Sequence, residues 1–141
     1  MPPNDEELRR ILTSARTVAV VGLSERTDRD SNEVARYLQA QGYRIVPVNP
    51  SVPVLLGEPS YPSLSAIPTE VRVDLALLFR RSDAVPAIVQ EAIDRRIPAV
   101  WMQLGIENPE AAASARRHGL SVVENTCSMA VHRRLHLPAV G

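Results

Sequence analysis

Apolar positions along the chain follow two different spacings in turn, and this pattern predicts alternating helices and strands. Over residues 4–15 apolar side chains recur at helical spacing, and Asn4 with Glu7 predicts a reciprocal cap at the start of this leading amphipathic helix. Residues 17–21 form a continuous apolar run rich in β-branched side chains, which is typical of a strand buried on both faces. The polar stretch 24–30 predicts a loop after that strand.

The same alternation continues to the carboxyl terminus. A helix capped by Ser31 or Asn32 is predicted to end at Gly42. The other predicted strands are residues 43–48, 73–79, 98–103 and 120–124. After the second strand comes a proline-rich connection with a short helical turn at 64–67, and the later helices are one opened by residues 80–83, one over 108–119 and one from 128 to about 135.

Strands that alternate with helices at this spacing imply right-handed crossovers and a parallel sheet covered on both faces. The sequence therefore predicts an α/β fold, a Rossmann-like, doubly wound, five-stranded parallel sheet in a three-layer αβα single domain over residues 1–141. In such sheets ligands bind outside the carboxyl ends of the strands, near the point where the strand order reverses. Residues that follow the predicted strand ends are therefore the candidate site residues.

Composition is that of an ordinary globular chain. It has 141 residues, of which 45% are hydrophobic and 23% are charged, and its formal net charge is zero. A balanced charge argues against a protein that coats nucleic acid or an anionic membrane. We find no apolar run near the roughly 20 residues that a membrane-spanning helix needs, and the amino terminus is acidic and polar. We therefore expect a cytoplasmic protein with neither nucleic acid nor membrane as a partner.

The basic residues restrict the chemistry further, because all sixteen are arginine. Without lysine the chain can form neither a Schiff base nor a Walker-type phosphate loop. Any phosphate held by a side-chain cation must therefore be held by arginine. The single cysteine, Cys127, excludes an intrachain disulfide, and a lone cysteine is most often an inert small hydrophobe.

The loop after the first strand has some features of a phosphate site. A common dinucleotide site has three glycines there and an acidic residue after the second strand, whereas this chain has only Gly22 and ends its second strand at Asn49. The loop also offers the Ser24 hydroxyl, the charges of Arg26 and Arg29, and a following helix amino terminus, whose N–H groups suit an anion. This combination predicts a phosphate site built with arginine.

Catalytic and metal-ligating residues are not indicated by the sequence. No nucleophile and base fall together at the predicted edge, and no paired carboxylates lie where a substrate would have to be. His132 and His136 are four residues apart, a spacing that could place both on one helix face as metal ligands. Because a third ligand is lacking, packing or surface roles are favoured for both histidines.

Eight short segments, taken in order and with their spacing, resemble a known family. They are Val-Ala-Val-Val-Gly-Leu-Ser at 18–24, Arg-Asp-Ser-Asn at 29–32, Tyr-Leu at 37–38 with Gly-Tyr at 42–43, Pro-Val-Asn-Pro at 47–50, Tyr-Pro-Ser-Leu at 61–64, Phe-Arg at 79–80, Trp-Met-Gln-Leu-Gly at 101–105, and Cys127 followed by His-Arg-Arg-Leu at 132–135. The chain resembles the small stand-alone CoA-binding proteins, whose domain is also the nucleotide-binding half of the succinyl-CoA synthetase α subunit.

The resemblance implies that coenzyme A lies across the carboxyl edge. Its phosphates would lie near residues 22–32, its adenosine near residues 48–50, and its pantetheine arm toward residues 79–80 and Gln103. The implied binding residues are Gly22, Leu23, Ser24, Arg26, Arg29, Asn32, Val48, Asn49, Pro50, Phe79, Arg80 and Gln103. Similar proteins often carry a basic residue after the Asn-Pro pair, where this chain has Ser51. Either Arg26 or Arg80 meets the 3′-phosphate, or the ligand differs.

The function that this resemblance implies is a non-catalytic module that binds CoA or acyl-CoA as a carrier, sensor or regulatory partner. One alternative is an oxidoreductase that uses NAD(P) in a site with a degenerate glycine loop. Another is an interaction subunit that keeps the fold without the ligand. A homodimer is compatible with the sequence, and the position of Cys127 near the same edge suggests a mixed disulfide with the CoA thiol as a further hypothesis.

Overall fold

The computed structural model describes residues 3–141 and contains a parallel sheet of five strands. Along the chain the strands are β1 Thr17–Val21, β2 Arg44–Val48, β3 Val54–Leu55, β4 Glu58–Pro59, β5 Leu75–Leu78, β6 Ala99–Met102 and β7 Ser121–Val123. The large sheet has the order β2-β1-β5-β6-β7, and every neighbouring pair in it is parallel. The predicted Rossmann-like, doubly wound sheet is confirmed, and its strand order reverses beside β1.

Within residues 3–141, five helices cover the two faces of this sheet. They are α1 Asp5–Ser14, α2 Asp30–Ala40, α3 Val85–Asp94, α4 Pro109–Arg117 and α5 Ser128–Arg134, and a single 3₁₀ turn, Ser82–Ala84, precedes α3. One core packs α1, α2 and α5 against the sheet, and the other packs α3 and α4 against the opposite face. None of the helices within residues 3–141 is long and apolar enough to cross a membrane.

The starts of the first two helices show where side-chain capping was predicted correctly and where it was not. The N–H of Glu7 donates to Asn4 Oδ1 at 2.9 Å, so half of the predicted reciprocal cap of α1 is present, while within residues 3–141 the Glu7 side chain makes no return bond to the Asn4 N–H. The prediction that Ser31 or Asn32 caps α2 is wrong, because the capping position is Arg29 and its side chain makes no capping bond. Ser31 and Asn32 lie inside the helix, where their side chains bind the preceding loop instead.

The proline-rich connection contains a hairpin that the sequence did not predict. Strands β3 and β4 pair antiparallel across the two residues Leu56 and Gly57, whose φ angles are 52° and 77°. Two positive φ angles are the mark of the tight hairpin turn that usually carries Asn-Gly or Asp-Gly. The Leu-Gly pair in this chain lacks the usual residue at the first position, so the turn signal is weak.

The third strand of the predicted series also begins later than its apolar pattern suggested. Predicted from residue 73, β5 begins at Leu75. The Asp74 carboxylate accepts hydrogen bonds from the N–H groups of Arg16 and Thr17, both at 3.0 Å. The Asp74 side chain therefore reinforces the start of β5, where the Asp74 N–H also donates to the Thr17 carbonyl at 2.9 Å.

A buried histidine connects α5 with α2. The Tyr37 hydroxyl lies 2.7 Å from Nδ1 of His132, and His132 is 1% exposed. The hypothesis that His132 and His136 share a helix face is wrong, because α5 ends at Arg134 and His136 lies beyond it with a φ of 51°. No group of three His, Cys, Asp or Glu side chains within residues 3–141 is placed to hold a metal ion.

Burial of His132 should make the stability of the protein depend on pH. Burial lowers the pKa of His132 below its ordinary value of 6.5, because the charged ring loses solvation. As pH falls through about 6.5, His132 takes up a proton in the unfolded chain but not in the folded chain. The free energy of unfolding should therefore fall with pH until the lower pKa of His132 in the folded protein is passed. Urea titrations between about pH 7 and about pH 5 measure this slope.

The variant His132→Gln should flatten the slope, because glutamine keeps a hydrogen-bonding partner for Tyr37 without a titrating ring. The exposed His118 provides the matched control, and His118→Gln should keep the slope of the unchanged protein. Equal slopes for the unchanged protein and His132→Gln would show that His132 does not cause the effect.

Candidate functional site

The candidate site lies where the loops after β1 and β5 meet at the carboxyl edge of the sheet. Strand β1 pairs with β2 on one side and with β5 on the other, so the crevice between the two crossovers opens here. Gly22 follows β1 with a φ of 89°, a conformation that glycine adopts without strain. A Cβ atom on Gly22 would lie 2.9 Å from the backbone oxygen of Phe79 and 3.0 Å from Cδ of Arg80. The structure thus brings Gly22, Phe79 and Arg80 together.

Hydrogen bonds hold the loop between β1 and α2 in one shape. Ser24 donates its N–H to Ser31 Oγ at 3.0 Å, and its carbonyl oxygen accepts from Asn32 Nδ2 at 2.8 Å. Arg36 extends this network by donating to Asn32 Oδ1 at 2.7 Å and to the Thr27 carbonyl at 3.1 Å. Asn32 therefore positions the loop with both ends of its amide, and the loop is formed before any ligand arrives.

The loop after β2 is joined directly to the loop after β1. The Gly22 N–H donates to the Val48 carbonyl at 3.0 Å, and Asn49 Nδ2 donates to the carbonyl of buried Leu23 at 2.9 Å. Asn49 Oδ1 also accepts from the Ser51 N–H at 2.7 Å. The two segments expected to hold phosphates and adenosine are therefore adjacent, with exposed Pro50 between Asn49 and Ser51.

The four arginines at this edge differ in how they are paired. Arg26 forms an exposed ion pair with Asp28 at 3.0 Å, and Arg81 forms one with Asp83 at 3.4 Å. Arg29 and Arg80 are exposed, and neither takes part in a salt bridge within residues 3–141. Two guanidinium groups are thus available to an anion, that of Arg29 at the capping position of α2 and that of Arg80, whose stem lies over Gly22.

A pocket of about 210 Å³, which we call the edge pocket, lies at the same edge between the first turns of α2 and α5. Its lining residues are Asp30, Glu33, Val34, Phe79, Gln103, Leu104, Cys127 and Met129. Phe79 belongs both to this pocket and to the backbone contact over Gly22. Phe79 therefore borders both the edge pocket and the candidate phosphate site.

Gln103 lines the edge pocket, but both ends of its amide are bonded within the protein. Its Nε2 donates to Ser128 Oγ at 2.9 Å, and its Oε1 accepts from the Ser128 N–H at 3.2 Å. Gln103 is 3% exposed, so these bonds satisfy a buried amide and fix the start of α5 against the end of β6. Sequence reasoning placed Gln103 correctly at the edge and missed this internal role.

Several residues at the site were not singled out from the sequence. Asp30 was predicted only as the end of the polar loop 24–30 and Leu104 only as part of the motif 101–105, and Glu33, Val34 and Met129 were not considered as site residues. A large apolar side chain next to a glycine directly after a strand, as in Leu104-Gly105, is the one signal that could have indicated the pocket.

One protein-family model matches most of the chain. The family model described as a CoA binding domain matches residues 16–133. The chain belongs to this CoA-binding domain family. The match covers every strand of the sheet and α2 to α4, and it ends within α5 at Arg133.

Relatives of this CoA-binding domain include both a small protein and parts of larger ones. The uncharacterized protein YneT of Bacillus subtilis is 35% identical over 130 residues, which are 92% of this chain and 95% of that protein. The acetate–CoA ligase (ADP-forming) I of Archaeoglobus fulgidus is 30% identical over 122 residues, 79% of this chain but only 18% of the ligase. The CoA-binding domain described here therefore corresponds to a small part of that ligase.

Solved structures share the fold of this CoA-binding domain closely. A hypothetical protein from Pyrococcus horikoshii has a TM-score of 0.91 at 37% identity and covers 96% of both chains. A Thermus thermophilus protein has a TM-score of 0.88 at 38% identity, covering 94% of this chain and 99% of that one.

Proposed function

We propose that this protein binds coenzyme A or an acyl-CoA at the carboxyl edge and acts as a binding module without a catalytic apparatus of its own. The observation that carries the proposal is the Arg80 side chain crossing Gly22, 3.0 Å from where a Cβ would stand. Because Gly22 has no side chain, the Phe79 carbonyl and the Arg80 stem pack directly over the end of β1, which keeps the unpaired Arg80 guanidinium group at the edge where phosphate charge would be neutralised. The family match supports coenzyme A as the nucleotide.

The phosphates would lie between Arg80, Gly22 and the start of α2. Arg29, at the capping position of α2, makes no side-chain capping bond and no salt bridge within residues 3–141, so its guanidinium group can meet a phosphate there. The carboxylates of Asp30 and Glu33 in the same turn line the edge pocket. Arg26 already forms an ion pair with Asp28, so we favour Arg80 over Arg26 for binding the 3′-phosphate. Arg80 would then take the role of the basic residue that similar proteins often have at the position of Ser51. The adenosine would lie against Val48, Asn49 and Pro50. Leu23 and Ser24 would lie between the adenosine and the phosphates.

Binding rather than catalysis is favoured by the groups at this edge. Cys127 and Gln103 line the edge pocket, but no histidine lies among the residues that line it to act as a base for the thiol. The relative named as a CoA ligase extends far beyond the part that matches, so its reaction is not carried over. We propose a role as carrier, sensor or regulatory partner in the cytoplasm.

Titration of CoA, dephospho-CoA and NAD into the purified protein tests this proposal. We expect micromolar CoA binding by calorimetry, and at about 100 times the dissociation constant a stabilisation of about 2.7 kcal/mol should raise the melting temperature. We expect NAD to bind much more weakly, since the loop has one glycine and Asn49 replaces the acidic residue that holds the ribose. NAD binding without CoA binding would support the oxidoreductase alternative, and no binding of any of the three would support an interaction subunit.

A further inference from the structure

The edge pocket is lined mostly by side chains without charge. Val34, Phe79, Leu104 and Met129 contribute apolar surface, together with the Cys127 thiol. Leu104 is 72% exposed, one of two large apolar side chains within residues 3–141 that face solvent to this degree. A ligand that covered Leu104 would remove apolar surface from water, which favours a hydrocarbon group.

The Gln103 amide in the edge pocket does not favour a polar ligand group. The amide of Gln103 makes one hydrogen bond to Ser128 at each end and is 3% exposed, so it presents little polar surface to a ligand. A buried polar group that already has its partners gains little from a further one. The interior of the pocket therefore suits a group that makes no hydrogen bonds.

Volume limits the occupant to one arm of a ligand. Pockets that enclose a whole drug-sized molecule measure about 300–1,000 Å³, and the edge pocket measures about 210 Å³. Because the pocket shares Phe79 with the crevice over Gly22, that arm would reach it from a ligand whose phosphates lie at Arg29 and Arg80.

Charge at the pocket separates it from the phosphate site. Asp30 and Glu33 line it from the first turn of α2, both are exposed, and no arginine is among its lining residues. Neither carboxylate is in a salt bridge within the described part of the chain. An anionic group would be repelled here, whereas an uncharged chain would not.

We propose that the edge pocket holds the acyl group of a short-chain, uncharged acyl-CoA, and that it discriminates against acyl groups ending in a carboxylate. This inference rests on the proposed CoA binding and specifies the form of the ligand. It divides the site into a cationic part for the phosphates and an apolar part with an acidic rim for the acyl chain.

Calorimetric titration with CoA, acetyl-CoA, butyryl-CoA, hexanoyl-CoA and succinyl-CoA tests the inference. We expect the dissociation constant to fall by about fourfold for each methylene buried, until the pocket is full. Succinyl-CoA and butyryl-CoA have acyl chains of four carbons and differ in the terminal carboxylate, and we expect succinyl-CoA to bind about tenfold more weakly.

Two pairs of variants identify the residues responsible. Leu104→Ala should reduce the ratio of hexanoyl-CoA to CoA affinity, whereas Val54→Ala, at an exposed apolar position on β3 outside the pocket lining, should leave that ratio unchanged. Glu33→Gln should narrow the gap between butyryl-CoA and succinyl-CoA, and Glu110→Gln, in the first turn of α4, should not. All four positions lie at the surface or at its margin, so we expect each variant to fold.

The outcomes separate this inference from the proposed function. If CoA binds and hexanoyl-CoA binds no more tightly, the acyl pocket is wrong and CoA binding stands. If succinyl-CoA binds as tightly as butyryl-CoA, the acidic rim does not discriminate and that part of the inference fails. If neither CoA nor any acyl-CoA binds, the proposed function fails and the inference with it.

Discussion

Replacing Gly22 by alanine is expected to lower the free energy of unfolding by about 2–4 kcal/mol and to weaken CoA binding at least about tenfold. Part of the loss comes from the backbone, since φ is 89° and a non-glycine residue there costs about 1–2 kcal/mol. The rest comes from contact, because the new Cβ would lie 2.9 Å from the Phe79 carbonyl oxygen and 3.0 Å from Arg80 Cδ. The Arg80 stem can move aside, but the Phe79 backbone belongs to the end of a buried strand.

The matched control for this variant is Gly119→Ala. Gly119 has nearly the same backbone angle, a φ of 86°, and no atom within 4 Å of where its Cβ would be. Gly119→Ala should therefore lower the free energy of unfolding only by the backbone cost of about 1–2 kcal/mol, and the CoA affinity should be unchanged. Urea unfolding gives both stabilities, and calorimetry gives both affinities. Equal destabilisation by the two variants would show that the crevice accommodates the added Cβ atom without a steric cost. If Gly22→Ala binds CoA with wild-type affinity, the ligand binds elsewhere.

The sheet and its flanking helices could be predicted because strands of a parallel sheet are buried on both faces. Residues 17–21 and 99–102 read as unbroken apolar runs for that reason. Helices α1 and α3 read as amphipathic because each buries one stripe against the sheet. The β3–β4 hairpin escaped prediction because its positive φ angles fall on Leu56-Gly57, and the prolines at 53, 59 and 62 around it are typical of a loop.

Prediction of the candidate site was weaker, because it depends on which loops the fold brings together. The topological rule placed Gly22 and Arg80 at one edge correctly, since the carboxyl ends of parallel strands converge. That Arg80 crosses Gly22, or that Asn49 uses its amide on Leu23, depends on side-chain directions that spacing alone does not determine. The edge pocket was missed for a similar reason, because Val34 has the same helical spacing whether it faces a core or the wall of a pocket.

Removing the charge of Arg80 while keeping its stem is expected to weaken CoA binding by about 10- to 100-fold. Arg80→Met retains the methylenes that cross Gly22 and loses the guanidinium, and a hydrogen bond to a charged group contributes about 1.5–3 kcal/mol. Because Arg80 is exposed and makes no salt bridge within residues 3–141, the melting temperature without ligand should be unchanged. Calorimetry at two salt concentrations should show a smaller salt dependence of affinity for the variant.

Comparison with dephospho-CoA assigns the phosphate that Arg80 meets. If Arg80 holds the 3′-phosphate, Arg80→Met should weaken CoA strongly and dephospho-CoA little, and if it holds the pyrophosphate, both should weaken equally. The same comparison with Arg29→Ala assigns the second unpaired cation of the edge. Arg81→Met is the matched control, because Arg81 is the exposed neighbour already paired with Asp83 and should leave both affinities unchanged. Wild-type affinities for Arg80→Met would remove this side chain from the site, and the phosphates would then have to be held by the loop backbone and the start of α2.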